Sequence, residues 1–381
     1  MSQTHAERPL APDHVRAIAP YQPGKPTEEL KRELGAAWPA EGAVKLASNE
    51  NPLGPSPKAV AALIAAANGV SRYPDAGAFE LRDRLARHVG VDREQLVIGS
   101  GSNEIINLCV QAFCDVGDEV LTPRYQFMCY RLAAEGLGRT LRESENGSDF
   151  ALDVSALLGA VRPATKIVFL ANPNNPTGTH LPGSELARLV RELPPEIILV
   201  MDEAYVEFVD AADYASALPL LGSRERLIIL RTFSKIHGLA GLRVGYGITH
   251  APLVELLNRV RLPFNVTTVG QIAALAALED PAHVERAQRE NAHERRLVAA
   301  GLAARGLHTT PSQGNFLLCE VPAGYTGPAL YDALLRRGVI VRPLMPYGLS
   351  KHVRISIGTH AENERLFTEL DRVLSDRPAA R

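Results

Sequence analysis

The sequence lacks the features that define several classes of protein. Its 381 residues contain only four cysteines, none of which forms a C-x-x-C pair, and no histidine spacing completes a zinc set. We therefore expect no metal site. The small number of cysteines is consistent with a reducing compartment. The formal net charge is −2 and the basic residues are scattered, so nothing favours a nucleic acid or an anionic membrane as a partner.

Long hydrophobic runs are also missing. The apolar run at residues 60–67 is too short to cross a bilayer and is typical of a helix in a soluble protein. The first residues have no apolar stretch of the kind that secretory signals carry, so we expect a cytoplasmic protein. A chain of this length and ordinary composition is long enough for two domains with substantial cores.

What the sequence does contain is an alternation of short apolar segments with helical patterns. The segments that indicate strands are residues 95–98, 119–121, 166–170, 197–201, 227–230 and 244–248. Continuously apolar strands separated by helices predict an α/β fold whose mostly parallel sheet is covered on both faces. Ligands bind such sheets at the carboxyl ends of the strands. Polar residues follow the strand ends at four places, which are Ser102, Asn175, Asp202 and Lys235.

The string T-F-S-K-I-H-G-L-A-G-L-R-V-G-Y, residues 232–246, contains the most informative of these side chains. Lysines are rarely buried, yet Lys235 comes directly after a buried strand. A lysine held there can form a Schiff base with an aldehyde cofactor, because desolvation or nearby cations lower its pKa. Arg243 is such a cation, and it is also suited to binding a phosphate group.

Three further strings follow strand ends. G-S-G-S-N at 99–103 is either a capped tight turn or an anion site at a helix start, with Ser102 as the expected cap. N-P-N-N-P-T-G at 172–178 is, by itself, an ordinary turn. In M-D-E-A-Y at 201–205, Asp202 either caps a helix or holds a pyridine nitrogen in its protonated form.

Taken together, in this order and spacing, the four strings resemble those of the pyridoxal-phosphate (PLP) aminotransferases of the aspartate aminotransferase superfamily, which have fold type I. The resemblance implies PLP as the cofactor, with Lys235, Asp202 and Tyr205 as catalytic residues. Lys235 forms the Schiff base, Asp202 holds the pyridine nitrogen, and Tyr205 bonds the phenolic oxygen. The other cofactor contacts that it implies are Ser102, Asn103, Asn175, Ser234 and Arg243, of which Asn175 bonds the phenolic oxygen.

Two aromatic motifs belong to the same resemblance. R-Y-P at 72–74 resembles a motif whose tyrosine reaches the cofactor phosphate of the neighbouring subunit, which implies a homodimer with Tyr73 crossing to the partner active site. P-R-Y-Q-F at 123–127 is expected to supply the aromatic ring that stacks on the cofactor. We expect Tyr125 in this role, with Phe127 as the alternative. Without the resemblance, each would be interpreted as a core aromatic.

The histidinol-phosphate aminotransferase branch of the superfamily shows the strongest resemblance. It rests on L-A-S-N-E-N-P-L-G-P at 46–55, on P-Y at 20–21 and on G-V-I-V-R at 338–342. The substrate contacts that it implies are Tyr21, Asn51, Arg342 and Arg354. Two arginines and a tyrosine hydroxyl suit a phosphate dianion better than a single carboxylate.

The implied reaction is transamination of L-histidinol phosphate with 2-oxoglutarate, which gives imidazole-acetol phosphate and L-glutamate and runs in reverse in histidine biosynthesis. An aromatic amino-acid aminotransferase is the alternative, and a phosphothreonine decarboxylase is a weaker one. A regulator with a PLP fold and a DNA-binding domain is disfavoured, because no basic helix-turn-helix extension is present. The expected partners are therefore small-molecule substrates.

The sequence predicts three parts. Residues 1–45 form an arm that packs with the small domain, 46–275 a large PLP-binding domain with a seven-stranded sheet, and 276–381 a small C-terminal α/β domain. A long amphipathic helix over 282–304 is placed to bridge the two domains. Strands are expected in the small domain at 315–319, 339–341 and 353–357.

Overall fold

The computed structural model describes residues 9–376, which form an α/β fold with one large and two small sheets. The strands are β1 Val44–Lys45, β2 Leu96–Gly99, β3 Glu119–Pro123, β4 Thr140–Ser144, β5 Thr165–Ala171, β6 Ile198–Asp202, β7 Leu227–Thr232, β8 Gly245–Ile248, β9 Phe316–Glu320, β10 Val339–Ile340, β11 Arg342–Leu344 and β12 Leu349–Ser356. The α-helices are α1 Asp13–Ala17, α2 Thr27–Leu34, α3 Pro57–Ala66, α4 Phe79–Val89, α5 Ser102–Phe113, α6 Cys129–Gly136, α7 Val154–Gly159, α8 Gly183–Glu192, α9 Ala251–Val260, α10 Thr268–Leu278, α11 Pro281–Ala304, α12 Gly327–Leu335 and α13 His360–Ser375. In residues 9–376, no helix has the length and apolar character needed to cross a bilayer.

The large sheet has the order β2-β8-β7-β6-β5-β3-β4, which confirms the predicted seven-stranded, mostly parallel sheet. β8 is antiparallel to both of its neighbours, and the other pairings are parallel. All six strands predicted in this part of the chain are present. The seventh strand, β4, lies at one edge and was not predicted.

Alternate side chains of the central strands enter two separate cores. In β6, Ile198 and Val200 point into the core that contains α5 and α9, whereas Leu199 and Met201 point into the core that contains α4, α8 and α10. A strand that is apolar on both sides needs such cover on both faces, because either bare face would leave apolar surface in water. The predicted two-sided cover is therefore confirmed.

The register of the central strands places the polar turns side by side. Ala171, the last residue of β5, is opposite Asp202, the last residue of β6, and Asp202 is opposite Leu230 of β7. On the other side of β7, Thr232 is opposite Gly245, the first residue of the antiparallel β8. The turns after β5, β6 and β7 and the segment before β8 consequently meet at the carboxyl ends of the parallel strands.

The C-terminal part packs a three-stranded antiparallel sheet, β11-β12-β9, against α12, α13 and the second half of α11. α11 is a single helix of 24 residues that begins one residue before the predicted segment. The strand predicted at 339–341 is present as β10, which ends at Ile340, and the separate strand β11, which starts at Arg342, was not predicted.

The N-terminal segment contacts both parts of the molecule. α1 packs on α6 beside the large sheet, whereas β1 pairs with β10 and Leu30 of α2 packs on Ile340. Leu46 joins the core of the C-terminal part, so the chain crosses to the large sheet only after this residue. The division into an arm and two domains stays a prediction.

Candidate active site

A cavity of about 190 Å³ lies between the carboxyl ends of the parallel strands of the large sheet and the C-terminal part. The predicted residues that line it are Tyr21, Ser102, Asn103, Asn175, Asp202, Tyr205, Ser234, Lys235, Arg243, Arg342 and Arg354. They come from the carboxyl ends of β2, β5, β6 and β7, from the segment before β8, from the N-terminal segment and from β11 and β12. Eleven residues spread over most of the chain thus converge on one space.

Lys235 is placed in this cavity by the turn that follows β7. Its amine donates a hydrogen bond to the carbonyl oxygen of Ser48 at 3.2 Å and lies 5.5 Å from the ring centre of Tyr205. Removal of water by the surrounding protein, with smaller contributions from Arg354 and Arg243, lowers the pKa of Lys235 to about 8. About a tenth of the amine is therefore neutral, and nucleophilic, at pH 7, far more than in an ordinary lysine.

Asp202 ends β6 and is 4 % exposed. Its Oδ2 accepts a hydrogen bond from the Tyr130 hydroxyl at 2.9 Å, and its Oδ1 accepts one from the backbone N–H of Ala204 at 3.1 Å. Burial raises the pKa of Asp202 to about 6, while these two donors oppose the rise. The carboxylate is thus a buried anion that a cationic ligand group would stabilise.

Tyr205 is held by a residue that the sequence analysis missed. Its hydroxyl oxygen accepts a hydrogen bond from Asn49 Nδ2 at 2.9 Å, and Asn49 in turn accepts one from Ser356 Oγ at 2.8 Å. Because the tyrosine oxygen is the acceptor in the bond from Asn49, its own hydrogen can be donated to a ligand in the cavity. Burial raises the pKa of Tyr205 to about 12, so the hydroxyl stays protonated.

The start of α5 and the segment before β8 form a site with donors suited to an anion. The helix begins at Ser102 and its cap position is Gly101, so the prediction that Ser102 caps the helix is wrong by one residue. The Arg243 guanidinium donates to Ser234 Oγ at 3.4 Å. A Cβ atom on Gly101 would lie 2.7 Å from that guanidinium, and one on Gly245 would lie 2.2 Å from the Ser102 nitrogen.

The two predicted substrate arginines come from neighbouring antiparallel strands, where Arg342 is paired with Arg354. Arg354 donates to Asn175 Oδ1 at 2.5 Å and to the carbonyl oxygen of Ala47 at 2.6 Å. Arg342 bonds the carbonyl oxygen of Gln22 and its guanidinium lies 5.5 Å from the ring centre of Tyr21. Both guanidinium groups are mostly buried, which makes an anionic ligand the expected occupant of this end of the cavity.

Three predicted residues do not line the cavity. Tyr125 packs edge-on against Phe150 at 5.2 Å, and it is the alternative, Phe127, that lines the cavity. Asn51 Nδ2 donates to the carbonyl oxygen of Ile236 in the turn after Lys235, whereas Asn49, two residues earlier, lines the cavity. Tyr73 is 82 % exposed and stacks on Phe264 with ring centres 4.6 Å apart.

Comparison with known proteins agrees with this geometry. The aminotransferase class I and II family model matches residues 41–370. A histidinol-phosphate aminotransferase of Anaeromyxobacter sp. (strain Fw109-5) is 47 % identical over 96 % of this chain and 99 % of that protein. Histidinol-phosphate aminotransferase 2 of Methylococcus capsulatus is 45 % identical over 96 % of this chain and 98 % of that protein.

A similar solved structure is that of histidinol-phosphate aminotransferase from Sinorhizobium meliloti in complex with pyridoxal-5'-phosphate. It has a TM-score of 0.86 and 28 % sequence identity, and the match covers 97 % of this chain and 99 % of that chain. The likeness therefore extends over the large sheet and the C-terminal part alike.

Proposed function

The chain belongs to the class I and II aminotransferases, and from this premise we propose that it is a PLP-dependent histidinol-phosphate aminotransferase. The reaction is the transfer of an amino group between L-histidinol phosphate and 2-oxoglutarate. The observation that carries the proposal is the cavity itself, where a lysine with a lowered pKa, a buried carboxylate and two groups of anion-binding side chains lie together.

The residues present fit PLP, group by group. Ser102, Ser234 and Arg243 would hold its phosphate at the start of α5, where helix N–H groups favour an anion. Asn103 Oδ1 is buried without a hydrogen-bond partner in the described structure, as expected of a side chain that completes its contacts with a ligand. When bound, PLP supplies an aldehyde for the amino group and a protonated ring that stabilises negative charge on carbon.

The side chains around the reacting atoms then have distinct tasks. Lys235 would attach the cofactor, and its amine, when free, would move the proton of the amino donor's Cα carbon. Asp202 would hold a proton on the ring nitrogen. Tyr205 would donate its hydrogen to the phenolic oxygen, and Asn175, whose Oδ1 accepts a hydrogen bond from Arg354, would be a second contact of that oxygen. Phe127 rather than Tyr125 would cover the ring, since it alone of the two lines the cavity.

Substrate anions are assigned to the end of the cavity where Arg342 and Arg354 meet. Histidinol phosphate brings a phosphate dianion and no carboxylate, whereas glutamate and 2-oxoglutarate bring carboxylates. Guanidinium groups bind both types of anion in bidentate fashion, so the same two arginines serve both half-reactions. Tyr21, which lies against Arg342, adds a hydroxyl group at the mouth of the cavity.

We also propose a homodimer in which Tyr73 reaches the partner's cofactor phosphate. Tyr73, Val70 and Leu262 are between 63 and 82 % exposed, and Phe264, which stacks on Tyr73, is 43 % exposed. Exposed large apolar side chains concentrated in this way are typical of protein–protein contact surfaces. The cytoplasmic location stays a prediction.

A paired-substrate assay on purified protein tests the proposed reaction. With PLP and 2-oxoglutarate present, we expect glutamate to form from histidinol phosphate and much more slowly from phenylalanine or tyrosine. Lys235→Ala is the control and should abolish both reactions. Turnover of the aromatic amino acids alone would overturn the substrate assignment while leaving the cofactor assignment intact.

A further inference from the structure

Tyr130 is a buried side chain on α6 to which none of the functions above gives a role. It is fully enclosed, with its ring stacked on Phe169 of β5 at 4.8 Å and 7°. Phe127 packs edge-on against the Tyr130 ring, with ring centres 5.9 Å apart and an interplanar angle of 88°. Tyr130 thus lies directly behind the aromatic residue that lines the cavity, in a fixed orientation.

The hydroxyl of Tyr130 donates a hydrogen bond to the Oδ2 atom of Asp202 at 2.9 Å. Within residues 9–376, the other hydrogen bond to this carboxylate comes from the backbone N–H of Ala204. Burial raises the pKa of Tyr130 well above its ordinary value, so the hydroxyl remains a donor at every relevant pH. Asp202 therefore receives one side-chain hydrogen bond, and this donor cannot lose its proton.

A buried carboxylate next to a pyridine nitrogen shares one proton with it, and the stronger base of the two keeps the proton. Burial alone makes Asp202 a stronger base, and its pKa is raised for this reason. A hydrogen bond donated to the ionised carboxylate has the opposite effect, because it stabilises only the charged form. The position of the shared proton then depends on the Tyr130 hydroxyl.

We propose that Tyr130 is a positioning residue that weakens Asp202 as a base and thereby keeps the shared proton on the ring nitrogen of PLP. The inference rests on the proposed function, because it requires a pyridine nitrogen beside Asp202. It assigns to α6 a part in catalysis: the helix carries the donor that sets the electron-withdrawing strength of the cofactor.

Tyr130→Phe is the decisive variant, since it removes the hydroxyl and leaves the stacked ring in place. We expect the nuclear magnetic resonance signal of PLP labelled isotopically at the pyridine nitrogen to move toward that of a neutral pyridine. We also expect kcat to fall by about tenfold with little change in KM. In the opposite sense, 3-fluorotyrosine at position 130 is a stronger donor and should move the signal away from the neutral value.

Tyr325→Phe is the matched control, because it removes a tyrosine donor to the Val373 carbonyl in the C-terminal part. It should leave the nitrogen signal unchanged, and Asp202→Asn should give the neutral signal. If Tyr130→Phe binds PLP with an unchanged nitrogen signal, the inference is overturned and the proposed function stands. If the wild-type protein takes up no PLP, the inference and the proposed function are both wrong. A structural role of Tyr130 alone would lower the melting temperature without moving the nitrogen signal.

Discussion

At the scale of single residues, the electrostatics of Lys235 have a measurable consequence. The pKa of this amine is lowered to about 8, mainly by burial and then by Arg354, with Glu50 and Asp202 acting in the opposite direction. Only the neutral amine attacks an aldehyde. We therefore expect the rate of PLP uptake by the cofactor-free protein to rise about tenfold per pH unit below pH 8 and to level off above it.

Arg354→Met tests the cause of this shift, because it removes the charge while keeping an unbranched side chain. Without the nearby cation, the charged form of Lys235 is less disfavoured, so its pKa rises and the uptake profile should move to higher pH. The ionisable groups of free PLP titrate identically in all these experiments, so a difference between the uptake profiles of two variants reports on the protein. Arg342→Met, which removes the neighbouring cation on β11, should move the profile less. A profile that stays in place in Arg354→Met would contradict the expectation.

Three of the predicted site residues have a clear local signal in the sequence, whereas the missed residues Asn49 and Tyr130 do not. Lys235, Asp202 and Asn175 each lie in a short contiguous string directly after a buried strand. Asn49 and Tyr130 act through partners 307 and 72 positions away, and no local pattern reports such a contact. Asn49 has a weak signal, because it lies two positions before Asn51 in the same N-terminal string.

At the scale of secondary-structure elements, the start of α5 is expected to depend on the absence of a side chain at Gly101. Its φ angle is +75°, and a Cβ atom would lie 2.7 Å from the Arg243 guanidinium. Gly101→Ala should therefore displace Arg243 from Ser234 and weaken PLP binding by about tenfold, in addition to the backbone strain. Equilibrium binding of PLP to the purified variant measures this effect.

Gly117→Ala separates the two contributions. Gly117 also has a positive φ angle, +95°, but a Cβ atom there would meet no atom within 4 Å. Both variants should lose about 1 kcal/mol of unfolding free energy from backbone strain, measured by denaturant titration of the cofactor-free proteins. PLP affinity should fall only in Gly101→Ala. Equal affinities in the two variants would show that Arg243 does not depend on this glycine.

Strands were predictable where their residues are buried, as in the central strands and in the edge strand β2, and not in the more exposed edge strand β4. The central strands have continuous apolar runs because helices cover both sides of them. β4, with the sequence T-L-R-E-S, pairs with β3 on one side and keeps polar side chains toward solvent, so it has no apolar run to detect. The sequence pattern also does not indicate that β8 is antiparallel, because a run of apolar residues does not reveal the direction of a strand in the sheet.

At the scale of the whole molecule, different segments of the chain supply different parts of the cavity. The large sheet contributes Lys235 and Asp202, and the C-terminal strands contribute Arg342 and Arg354. Asn49, in the connecting segment, bonds both Tyr205 and Ser356 and so joins the two parts at the cavity. That the strand ends meet was predictable from the fold class, and the resemblance placed the two arginines in the same site. The bonds of Asn49 were not predictable, because they depend on packing between distant parts of the chain.

The proposed homodimer extends this division across two chains, and a mixing experiment tests it. Tyr73 lies outside its own cavity, so Tyr73→Ala should impair PLP binding only through the partner's site. Lys235→Ala should be inactive for a reason internal to its own site. In a heterodimer of these two variants, the protomer that keeps Lys235 receives an intact Tyr73 from the other. Random exchange should restore about a quarter of the wild-type activity, because half of the dimers are mixed and each has one complete site.

Each variant incubated alone is the control and should regain nothing. A mixture that stays as inactive as its components, although the chains have demonstrably exchanged, would show that Tyr73 does not serve the neighbouring site.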